Sequence, residues 1–90
     1  MKVKELKEKL IQAGVIESCW SIPGHFKPFA DWWLEQTNDG TWIMYYQEER
    51  GNKDIIKTFT SEKEACEFFY NYVTERYEKA KPYIGKGKDL

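Results

Sequence analysis

Ninety residues suffice for one domain and not for two, because halves of that length would bury too little surface to fold alone. Four Trp, six Tyr and five Phe make 17% of the chain aromatic, so large rings dominate its contacts and some must stay near the surface of so small a domain. The net charge of −1 excludes strong generic attraction to nucleic acid, yet residues 10–78 hold six basic against twelve acidic side chains, a net of −6, between lysine-rich ends at 1–9 and 79–90.

Val3, Leu6, Leu10 and Ala13 fall three or four apart, which predicts a first helix with one apolar face and Gly14 as its stop. Residues 15–30, with Pro23, Gly24 and Pro28, read as a long irregular connection containing a short extended piece at Cys19–Ile22. Loops of this length inside small domains are often functional. Two aromatic-rich strands follow, Asp31–Thr37 and Thr41–Glu48, joined at Asn38-Asp39-Gly40. A three-residue loop with Gly in the left-handed position suits that tripeptide and pairs residues whose numbers sum to 78. A two-residue Asp39-Gly40 turn would shift the register by one and exchange the faces of the second strand.

Glu49–Lys53 forms a second turn and Asp54–Thr60 a third strand of unclear parity, with Ile55 and Phe59 on one side and Ile56 on the other. An edge position tolerates that ambiguity. Ser61-Glu62-Lys63-Glu64 is a capping box, and Ala65, Cys66, Phe69, Tyr72, Val73 and Arg76 or Tyr77 continue at helical spacing until Pro82. The expected fold is α+β: an N-terminal helix, a three-stranded antiparallel meander and a C-terminal helix (αβββα). It forms one domain over 1–82, followed by a flexible basic tail over 83–90.

Two cysteines, Cys19 and Cys66, make no disulfide framework, and Met1–Leu10 has no apolar core of a signal peptide, so a reducing cytoplasm is the expected location. No run is long enough to span a membrane. Catalysis needs a positioned acid, base, nucleophile or metal. The single histidine, His25, lies in the Pro-containing loop, where Cys19 or Ser21 could pair with it only if a scaffold held the geometry. Two distant cysteines and one histidine fall short of a zinc site, and no Gly-rich phosphate loop follows a strand. The expectation is a protein without enzymatic activity, metal or cofactor.

In the 78-sum register, Trp32, Leu34, Trp42, Met44 and Tyr46 share one face, while Asp31, Trp33, Glu35, Ile43 and Tyr45 share the other. A half-buried sheet normally alternates apolar with polar residues, and this hairpin carries bulky apolar groups on both sides. Either the helices cover opposite faces, or both pack on the first face and the second displays Trp33 and Tyr45 among acids. Aromatic anchors rimmed by carboxylates suit a basic protein partner. The candidate partner-binding residues are therefore Asp31, Trp33, Glu35, Tyr45, Glu48 and Glu49, with the loop around Trp20, His25 and Phe26 as a rival. Acids on the strands argue against RNA, although the basic ends leave a small RNA-associated protein as a third reading.

Gly14-Val15-Ile16, Ser21-Ile22-Pro23, the run Trp42-Ile43-Met44-Tyr45-Tyr46-Gln47-Glu48-Glu49-Arg50-Gly51, and Thr58-Phe59-Thr60-Ser61-Glu62-Lys63-Glu64-Ala65-Cys66-Glu67-Phe68-Phe69 together resemble small bacterial immunity proteins encoded beside polymorphic or contact-dependent secreted toxins. The resemblance spans Gly14 to Val73. Gln47-Glu48-Glu49-Arg50 holds one residue more than the family pattern, so no specific contact carries over to Glu49 or Arg50. The resemblance implies a non-enzymatic inhibitor that neutralises a cognate toxin domain in the same cell; the chain itself is expected to be a monomer or weak dimer. Many such toxins are nucleases with basic substrate surfaces, which the acidic body would suit. The alternative is a generic interaction module of a phage or mobile element.

Overall fold

Leu6 and Leu10, four apart in the first helix, are both fully buried and set the side on which α1 (Val3–Gln12) packs. Gly14, at φ +78°, ends it in a Schellman motif: its N–H donates to the Ile11 carbonyl at 3.0 Å and that of Val15 to Leu10 at 3.2 Å. Leu10 and Val15 then meet in the core, the apolar contact that usually accompanies this cap. The start of α1 has no side-chain cap of its own; Glu62, 59 positions along the chain, accepts the Val3 N–H at 2.9 Å. The structure, a computed structural model, describes residues 1–48 and 51–89, of which 78–89 by their backbone alone.

After a 3₁₀ turn at Glu17–Cys19 come β1 (Trp20–Ser21), β2 (Trp32–Gln36), β3 (Trp42–Gln47) and β4 (Lys53–Phe59), then α2 (Glu62–Asp89). The strands form one sheet in the order β1-β2-β3-β4. The α+β class holds, but the expected three-stranded meander is a four-stranded mixed sheet, because Trp20 and Ser21 pair parallel to Trp32 and Trp33. The extended piece expected at Cys19–Ile22 is there, but two residues are too few to show any alternation, so its pairing could not be read from the sequence.

β2 and β3 pair as Trp32↔Tyr46, Trp33↔Tyr45, Leu34↔Met44, Glu35↔Ile43 and Gln36↔Trp42, the 78-sum register. Gly40 takes φ +89°, a conformation that only glycine enters freely, and donates to the Thr37 carbonyl at 3.0 Å. Asp39 accepts from the Thr37 hydroxyl and, at 3.0 Å, from the Thr41 N–H; these bonds, the hydroxyl's first, hold its carboxyl below the ordinary range.

The β3–β4 ladder shifts between Met44 and Tyr45: Met44 faces Lys57 while Tyr45 faces Ile55, so Ile56 is the extra residue of a bulge. The bulge explains the unreadable parity of this strand. Phe59 joins Trp42 and Met44 in the core with Ile56 packed against it, whereas Ile55 points away and is 64% exposed.

Ser61 caps α2, accepting the Glu64 N–H at 3.1 Å, and Ala65, Cys66, Phe69, Val73 and Tyr77 form its buried stripe. Of Arg76 and Tyr77 it is the tyrosine that turns inward. The bounds of α2 run past Pro82, where the sequence predicts a stop; proline forfeits one helical hydrogen bond and can kink a helix without ending it. The expected division into a domain over 1–82 and a flexible tail over 83–90 lies outside the residues whose side chains are described. Among the described residues no helix is long and apolar enough to cross a membrane.

Both helices pack on one face. Leu6 and Leu10 of α1 and Phe69 and Val73 of α2 share a cluster with Trp20, Trp32, Leu34, Trp42 and Met44. The opposite face carries a separate, small cluster of Ala30, Trp33 and Tyr45, flanked by Ile43. That asymmetry positions the candidate site.

Candidate functional site

What covers the second face is the crossover from β1 to β2, residues 22–31. It leaves the sheet through a tight turn in which Ile22 N–H and His25 carbonyl, and His25 N–H and Ile22 carbonyl, pair at 3.1 and 2.9 Å. Pro23 and Gly24, the latter at φ +85°, occupy the central positions that a type II turn requires. The Ser21 hydroxyl accepts the Lys27 N–H at 3.0 Å and lies 3.4 Å from the His25 carbonyl. A second turn closes with Ala30 N–H donating to Lys27 at 3.1 Å, placing Pro28 and Phe29 at its tip. Asp31 N–H then donates to the Cys19 carbonyl at 3.1 Å, and the Trp33 indole N–H to the Ala30 carbonyl at 2.9 Å. Fixed at both ends and in the middle, this loop is a scaffold.

It corrects one expectation directly. Trp33 and Tyr45, expected as displayed anchors, are only 7% and 3% exposed. No helix seals them; the loop does. Their rings stack at 5.7 Å and 8°, and Phe26 meets Trp33 edge-on at 5.7 Å. The Tyr45 hydroxyl donates to Glu35 at 2.7 Å, and Lys53 Nζ stands 4.8 Å over the Tyr45 ring. Burial first, then the Glu35 carboxylate, raises the Tyr45 phenol above its ordinary range.

The exposed apolar groups on this side are different ones. Phe26, against Trp33, is 71% exposed, Phe29 at the turn tip is 95% exposed, and Ile55 stands on β4 opposite Tyr45. Ile43 is half-buried against the Ala30, Trp33 and Tyr45 cluster, and Glu35 is exposed. Asp31 and Glu48 lie at the far end of β2 and β3, where with Phe29 and Tyr46 they line a groove of about 800 Å³. Glu49 lies outside the described residues. Of the sequence-predicted set, then, Trp33, Glu35 and Tyr45 form one buried-to-exposed ladder, and Asp31 and Glu48 form the rim of a neighbouring groove. Sequence reading missed Phe29 and Ile55. A Pro-Phe pair at a turn tip was the available signal for the first; the bulge hid the second.

The rival loop site divides in two. Trp20 is fully buried and stacks on His25 at 4.0 Å, with its indole N–H the buried side-chain atom left without a partner among the described residues. His25 Nε2 lies 3.3 Å from the Glu17 carbonyl. This pair braces the loop from within, and only Phe26 reaches solvent. The Ser21 hydroxyl meets the backbone of His25 and Lys27 rather than the imidazole, so the two do not form a nucleophile–base pair in this geometry. Among the described residues no three His, Cys, Asp or Glu side chains converge as metal ligands would. The arrangement presents rings and carboxylates on a frame held by backbone hydrogen bonds. Comparison with family models, with curated proteins and with solved structures yields no match for this chain.

Proposed function

We propose that this protein is a non-enzymatic inhibitor of the immunity type, which binds a basic toxin domain in the same cell through the sheet face that bears no helix. The observation that carries the reading is the one-sided packing. With both helices on one face, the other is left to a braced loop and three exposed apolar side chains, Phe26, Phe29 and Ile55. Exposed apolar groups on a rigid support cost little entropy to dock, so more of their burial appears as affinity. Glu35, Glu48 and Asp31 around them would speed encounter with a cationic surface and disfavour an anionic one. Such a surface laid over a nuclease's basic cleft excludes the phosphate backbone that the cleft is built to hold.

The test is co-expression with the C-terminal domain of a secreted toxin encoded in a neighbouring reading frame. The wild-type protein should restore growth and co-elute with that domain. Glu48→Lys and Ile55→Lys, both at exposed positions, should fold as the wild type does and fail to protect. Full protection by both variants would remove this face from the interface, and failure of the wild type to bind any such domain would remove the reading itself.

A further inference from the structure

β4 is the last strand of the sheet, and among the described residues no strand pairs with its outer edge. We infer that this edge pairs with the β4 of a second copy of the chain, antiparallel about a two-fold axis at Ile55, joining two sheets into one; the inference is independent of the toxin-binding reading. The alternation of the ladder decides which peptide groups face outward. Glu48 N–H donates to the Asn52 carbonyl at 3.0 Å, so Tyr46, Met44 and Trp42, at steps of two along β3, bond to Asp54, Lys57 and Phe59. Lys53, Ile55 and Thr58 then aim their N–H and C=O groups away from β3, and all three residues are exposed. Peptide groups so placed are a template for another strand.

What selects a second copy is the order of side chains along the edge. With the bulge counted as one position, an axis at Ile55 sets Lys53 opposite the second copy's Thr58, Asp54 opposite its Lys57, and Ile55 opposite its Ile55. The faces agree. Asp54 and Lys57 stand opposite Tyr46 and Met44 on the helix-bearing side, whereas Lys53, Ile55 and Thr58 stand opposite Gln47, Tyr45 and Ile43 on the other. The symmetry makes the Asp54–Lys57 pair twice and brings together two Ile55 side chains, each 64% exposed in a single chain. An axis at Asp54 or at Lys57 would instead set like charges face to face. The Lys57 amine already stands 4.9 Å over the Phe68 ring, so the ion pairs choose the register while peptide hydrogen bonds supply most of the attraction. The ladder is short, and association is accordingly weak and concentration-dependent.

The experiment is sedimentation velocity of the whole chain at low salt, in a concentration series up to about 1 mM. The wild type should pass from monomer to dimer, and added salt should shift it back. Asp54→Lys and Lys57→Asp should each weaken the dimer about fivefold or more, because the axis counts every charge change twice, and the two combined should restore it. Amide exchange should slow at Lys53, Ile55 and Thr58 as the concentration rises. Thermal unfolding checks the fold; Asp54 is exposed, so Asp54→Lys decides the matter even if Lys57→Asp, which gives up the Phe68 ring, is destabilised. A wild type monomeric throughout, a dimer indifferent to Asp54→Lys, or a folded double variant that fails to restore it would overturn the inference. Neither substitution alters the helix-free face, so both variants should still protect in the toxin co-expression test, and failure of one reading leaves the other standing.

Discussion

Replacing Trp33 separates a residue that touches the partner from one that holds the touching residues in place. Its ring is 7% exposed, stacked on Tyr45, met edge-on by Phe26 and hydrogen-bonded to the Ala30 carbonyl at 2.9 Å. Trp33→Ala should cost about 3–5 kcal/mol, the usual range for emptying a buried aromatic site. In a domain whose total stability is of order 5–15 kcal/mol, that is a third or more of the whole. Trp33→Phe is the sharper probe. It keeps most of the stack but removes the indole donor and leaves the Ala30 carbonyl unpaired, for about 1–3 kcal/mol. Urea unfolding should show a lower midpoint with an unchanged slope, and amide exchange should quicken selectively over residues 26–31. Unchanged midpoints in both variants would mean that the loop does not seal Trp33, and the account of this face would fail with it.

Three further substitutions or titrations probe other joints. Burial and the Glu35 carboxylate raise the Tyr45 phenol, so the folded state holds its proton after the unfolded chain, near the ordinary pKa of about 10, has begun to release it. That contribution is complete below about pH 10 and is lost as pH rises further; Tm should fall more steeply with alkali in the wild type than in Tyr45→Phe. Glu62→Ala removes the acceptor of the Val3 N–H and should cost about 1–2 kcal/mol in urea unfolding, with fraying of α1 visible by amide exchange. Burial pushes the Cys66 thiol up to about 11, with the Glu62 charge adding to it, so a thiol reagent at neutral pH should modify Cys66 only as fast as the protein unfolds. Rapid labelling of the native protein would contradict its place in the core.

The parts of the fold that could be read from the sequence are those fixed by neighbours in the chain. Asn38-Asp39-Gly40 sets the hairpin register through a glycine that needs a left-handed backbone, and Ser61 and Gly14 mark helix ends through bonds to residues within a few positions. What escaped depends on distant partners. The extended piece at Cys19–Ile22 was legible, but not that Trp20 and Ser21 pair parallel to Trp32 and Trp33, since two residues carry no period. The facing of β4 turns on a single extra residue, Ile56, whose presence no local pattern betrays. The choice between one-sided and two-sided helix packing was open in the hairpin alone, because both of its faces are rich in rings. The structure resolves it towards one side, yet hides Trp33 and Tyr45 beneath a loop whose path depends on Ser21, Ala30 and Cys19. Hence the face expected to be open does carry no helix, but Trp33 and Tyr45, expected to be displayed on it, are buried.

The claim on which all of this converges is that a partner docks against the helix-free side, on Phe26, Phe29 and Ile55. Isothermal titration of a toxin domain that the wild type binds tests it most directly. Phe29→Ala combined with Ile55→Ala should weaken the complex by about 2 kcal/mol or more, while Ile11→Ser on the exposed side of α1 leaves it unaltered. The reverse pattern, with the α1 variant crippled and the double variant binding normally, would place the partner on the helices and contradict the account.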